Sequence, residues 1–78
     1  MDIREWNLEV SRLDSFFKSN PVPKGPVKVG GFMTINDTAY FIQACLSGLT
    51  KEDNIGKDWF AGNFVRLQLL EKYMLENQ

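Results

Sequence analysis

Histidine is absent from this chain, cysteine occurs once, as Cys45, and proline only three times. Each scarcity excludes something. A single thiol forms no internal disulfide. Without histidine, and with no Asp/Glu run at the loop spacing of a calcium site, no metal-ligand set is expected. A nucleophilic Cys45 would lack its usual base, so neither catalysis nor a cofactor is expected. An excess of one charge is missing too. Nine basic residues against ten acidic ones leave a net charge of −1, which favours neither nucleic acid nor an anionic membrane. No apolar run approaches the roughly 20 residues of a membrane span. The opening Met1-Asp2-Ile3-Arg4-Glu5-Trp6 lacks the basic-then-apolar pattern of a secretory signal. The expectation is a cytoplasmic chain with no membrane or nucleic-acid partner.

What is present is hydrophobic periodicity interrupted once. All three prolines fall in residues 20–37, with Gly25, Gly30 and Gly31 among them, so no continuous helix crosses that stretch. Before it, Ile3, Trp6, Val10, Leu13 and Phe17 recur at steps of three or four, predicting a helix over 3–18 with Asp2 as N-cap. Glu9–Arg12 and Asp14–Lys18 are spaced to pair along it. After it, Thr38, Phe41, Ile42, Cys45, Leu46 and Leu49 predict a helix over 37–49. Asn36 is the preferred cap, with Asp37 in the first turn. Beyond a polar connector over 50–56, residues 57–76 predict a third helix with a main stripe of Trp59, Phe60, Phe64, Leu67, Leu70 and Met74. Gly62 inside it marks either a close helix contact or a break.

The strap between the first two helices admits two forms. Residues 26–29 alternate like a short strand, and Gly30-Gly31 would close a tight hairpin with residues 32–35. An irregular loop pinned by Val27, Val29, Phe32 and Ile35 is preferred, because short apolar runs are ambiguous. The fold expected is therefore all-α, one small domain over 1–78. Its core is Trp6, Val10, Leu13 and Phe17 with Phe41, Ile42, Cys45 and Leu46, and with Phe60, Phe64, Leu67 and Leu70.

Most polar candidates have structural explanations. Gly30-Gly31 beside Lys24 and Lys28 lacks the Gly-Lys-Ser/Thr order of a phosphate loop and reads as a turn. Glu52, Asp53 and Asp58 lie in or beside the connector, where solvated charge is the default. Cys45 sits among apolar neighbours as a small buried residue. The third helix carries a second apolar row, however. Taking Trp59 as zero and about 100° per residue, Val65, Leu69 and Tyr73 fall near 240°, 280° and 320°. A helix apolar on two sides is either buried on both or offers one side to a partner.

Taken together, Phe16-Phe17, residues 23–29 (Pro-Lys-Gly-Pro-Val-Lys-Val), Ile35-Asn36-Asp37, Phe41-Ile42 with Leu46, and residues 64–70 (Phe-Val-Arg-Leu-Gln-Leu-Leu) resemble a family of short bacterial proteins of unknown function, chiefly from Bacteroidetes. The resemblance spans about residues 9–75. Its members tend to carry histidine where this chain has Cys45, which implies no required catalytic or metal role there. It implies a bacterial, cytoplasmic origin and no activity or cofactor.

The function expected is a non-enzymatic protein-interaction or structural module, self-associating or binding a protein through Val65, Leu69 and Tyr73. A nucleic-acid-binding regulator of helix-turn-helix type is the alternative. Its usual short turn is missing, and Lys57, Arg66 and Lys72 are offset by Asp58, Glu71 and Glu76.

Overall fold

The computed structural model describes residues 1–77. Three helices, α1 (Ile3–Ser19), α2 (Thr38–Thr50) and α3 (Asp58–Glu76), pack with a two-stranded antiparallel hairpin, β1 (Val27–Val29) and β2 (Met33–Ile35), inserted between α1 and α2. A single 3-10 turn, Glu52–Asn54, bridges α2 to α3.

Helix α1 starts as its sequence dictates. The Asp2 carboxylate accepts from the Glu5 N–H at 2.8 Å, satisfying one of the free donors of the first turn. At the other end Asn20 Nδ2 donates to the Phe16 carbonyl at 2.8 Å, and Pro21 blocks continuation.

The strap is a hairpin, not the irregular loop preferred from sequence. Val27 pairs with Ile35 and Val29 with Met33, so both valines and Ile35 point inward while Lys28 and Thr34 point out. Those three buried side chains anchor a ribbon that would be marginal alone. The connecting loop has three residues, Gly30, Gly31 and Phe32, not two. Gly30 and Gly31 take φ values of 63° and 75°, a region where side chains are strained. Phe32 leaves the ladder. Its N–H donates to the Val29 carbonyl at 3.4 Å, and its ring pins nothing, being 77% exposed.

The cap of α2 is Asp37 rather than Asn36. Its carboxylate accepts from the Tyr40 N–H at 3.1 Å, the third residue of the helix, which is the geometry an N-cap requires. Behind it the buried Thr38 hydroxyl donates to the Pro23 carbonyl, fixing the strap to the helix start.

Helix α3 runs unbroken through Gly62, and a Cβ built there meets nothing within 4 Å. Neither a break nor a close contact within the chain accounts for that glycine. The core joins Trp6, Leu13 and Phe17 to Ile42, Cys45 and Leu49, and to Phe64, Leu67, Leu70 and Met74, with Val27, Val29 and Ile35 closing one end. Val10, Phe41, Leu46 and Phe60 are half-buried at its margin. Trp59 is excluded from it altogether, at 83% exposure.

Candidate interaction surface

Each seam of the helical body is finished differently. Between α1 and α3, Arg12 donates through Nε and Nη2 to Glu9 at 2.7 and 2.9 Å, and through Nη1 and Nη2 to Glu71 at 2.6 and 3.2 Å. Gln68 Nε2 adds a bond to Glu9 at 2.6 Å. The Arg12 guanidinium is the main force holding the Glu9 carboxyl below its usual range, with Gln68 assisting against partial burial. Two carboxylates in turn hold Arg12 firmly protonated. This seam is a polar clasp.

Between α1 and α2 lies an open groove of about 470 Å³ whose apolar lining includes Phe17, Val22, Ile42 and Leu46. The Asp14–Lys18 ion pair, 2.9 Å, stands at its edge.

The second apolar row of α3 is split by its surroundings. Val65 stands out at 55% exposure. Leu69 and Tyr73 are half-buried and share a shallow recess with Lys28, Gly30 and Gly31 at the hairpin tip. The hairpin therefore covers part of this row. Trp59 borders this row. At about 100° per residue it lies about 40° beyond Tyr73 and about 20° from Leu70, so Val65, Leu69, Tyr73 and, at its end, Trp59 lie along an outer arc that exposed Asp58 and Arg66 interrupt.

The remaining polar candidates do not converge. Glu52, Asp53 and Asp58 are exposed, and among the described residues no three His, Cys, Asp or Glu side chains are placed to hold a metal ion. Lys24 lines a separate recess with Asn36 and Asp37, away from Gly30-Gly31. Cys45 is buried, and that burial pushes its thiol above the ordinary value against a weaker opposing pull from Arg66. It is a protonated packing residue at neutral pH. Among the described residues no helix is long and apolar enough to cross a membrane.

Comparison with known sequences adds one relationship. The family described as Domain of unknown function (DUF6965) matches residues 8–77. No curated protein and no solved structure matches the chain.

Proposed function

The chain belongs to this family of unknown function, and we propose that it works as a non-enzymatic protein-interaction module through the outer side of α3. One observation carries the reading: Trp59 and Val65 are 83% and 55% exposed on a helix whose Phe64, Leu67, Leu70 and Met74 are committed to the core. Covering a ring of that size removes roughly 150 Å² or more from water, worth about 3 kcal/mol. Exposed tryptophans are also the residues that most often dominate binding energy at interfaces. A domain this small has a limited core, so burial against a partner adds stability it otherwise lacks. Val65, Leu69 and Tyr73 supply the rest of the surface. The same proposal places the chain in the cytoplasm of a Bacteroidetes-type bacterium, which suits its one unpaired thiol.

The test compares wild-type protein with Leu69→Glu, immobilised side by side against lysate of the native organism, together with the solution mass of each. A protein or a second copy retained by wild type and lost by the variant is expected. Identical captured sets and identical masses would overturn the reading.

A further inference from the structure

We propose that the occupant of this face is the same face of a second copy, laid antiparallel with Val65 at the two-fold axis. The inference rests on the interaction reading above and goes beyond it by naming the partner and the register.

The first support is Gly62. Glycine is among the least favourable residues inside a helix, yet α3 is continuous there and an added Cβ would touch nothing. Nothing within the chain requires it. By helical angle it falls near 300°, between Leu69 and Tyr73 on the outer arc. A glycine there, one turn from exposed Trp59 and Val65, lets another backbone approach closely.

The second support is charge. An antiparallel register centred on Val65 sets each residue a given number before it against the residue the same number after it in the second copy. Asp58 then faces Lys72, and Gly62 lies within one residue of Leu69, whose side chain fills the space the glycine leaves. Asp58 and Lys72 sit on the same flank of the arc, as antiparallel helices require. Among the described residues Asp58 makes no ion pair, and Lys72 has only a long contact to Glu76 at 4.0 Å. Both are free to pair across the interface. Arg66, the like charge nearest the axis, is drawn aside by its bond to Asn63 Oδ1 at 2.7 Å. A parallel arrangement would instead set Asp58 against Asp58 and Lys72 against Lys72. The antiparallel pairing is self-complementary and closes at two copies.

Light scattering from micromolar to millimolar concentration tests it, with helicity followed by circular dichroism so that unfolded variants are recognised. Wild type is expected to reach twice the 9.0 kDa of one chain. Gly62→Ala keeps its helicity and dimerises at least about tenfold more weakly. Asp58→Lys and Lys72→Asp each weaken the dimer, and the double swap restores it. A chain that stays monomeric at millimolar concentration overturns the proposal, as does a dimer indifferent to these substitutions. If the monomer nevertheless captures a protein that Leu69→Glu does not, only self-pairing fails. If it captures none, the interaction reading fails with it.

Discussion

The indole Nε1–H of Trp6 donates to the carbonyl of Leu49, 43 residues further along the chain, at 2.8 Å. Leu49 lies in the last turn of α2, where carbonyls have no partner within the helix. Its neighbours are satisfied locally. Thr50 Oγ1 donates to the Ser47 carbonyl at 2.9 Å, and Asn54 Nδ2 donates to that of Gly48 at 2.9 Å. The Leu49 carbonyl is the one met by α1. The same indole stands edge-on to Phe64, with ring centroids 4.8 Å apart and planes at 83°. One side chain thus binds α1 to both other helices.

Trp6→Phe keeps an aromatic ring but removes the donor. The Leu49 carbonyl is then left buried without a partner, and the smaller ring leaves a void. The expected loss is about 2–3 kcal/mol, read as a lower denaturant midpoint with unchanged slope. A loss below about 0.5 kcal/mol would show that the hydrogen bond does not hold the helices together.

Two glycines should respond oppositely to alanine. At Gly62 the added methyl has open space, so Gly62→Ala is expected to stabilise the isolated chain by about 0.5–1 kcal/mol. At Gly25 the methyl would run into the backbone carbonyl of Asn36, which has no freedom to rotate away. Gly25→Ala is expected to destabilise by about 1–3 kcal/mol. Thermal unfolding of both variants at concentrations where the chain is monomeric decides the matter, and equal shifts of the same sign would contradict it.

The helices were legible because their apolar residues repeat strongly, and α1 carries punctuation at both ends, Asp2 at its start and Asn20-Pro21 at its stop. The hairpin was less so. Six ladder residues are too few for alternation to separate a strand from a pinned loop, and the decision came from Val27, Val29 and Ile35 finding the core together. Trp59 was misplaced for a different reason. Angular position tells which side of a helix a residue takes, not whether neighbouring elements extend far enough to cover it. Leu69 and Tyr73 show the converse, since their partial cover comes from a hairpin tip more than thirty residues earlier in the chain.

The start of α2 offers a sharp choice between adjacent residues. Asp37 carries the capping bond to the Tyr40 N–H, whereas no side-chain bond of Asn36 contributes to the helix. Asp37→Ala is expected to lose about 1 kcal/mol. Asn36→Ala should stay within about 0.5 kcal/mol of wild type. The reverse order in urea titrations would return the cap to Asn36.

The clasp between α1 and α3 makes a statement about acid. Arg12 lowers the folded-state pKa of Glu9 below its ordinary value, so the folded chain binds fewer protons there than the unfolded one. That contribution is fully present above the ordinary carboxylate range and is lost as pH falls through the depressed folded value. Arg12→Met removes the cation and leaves the Glu9 and Glu71 carboxylates facing each other, which adds repulsion to the lost attraction. Because Arg12 is 48% exposed, solvent weakens the pair, and the expected destabilisation at neutral pH is only about 1 kcal/mol. As pH falls through the depressed folded value of Glu9, that contribution disappears and the variant should converge on wild type. Stability measured from pH 7 to pH 2 therefore distinguishes charge from packing. A deficit that stays constant across that range would mean the Arg12 side chain acts through its aliphatic contacts and not through its carboxylate partners.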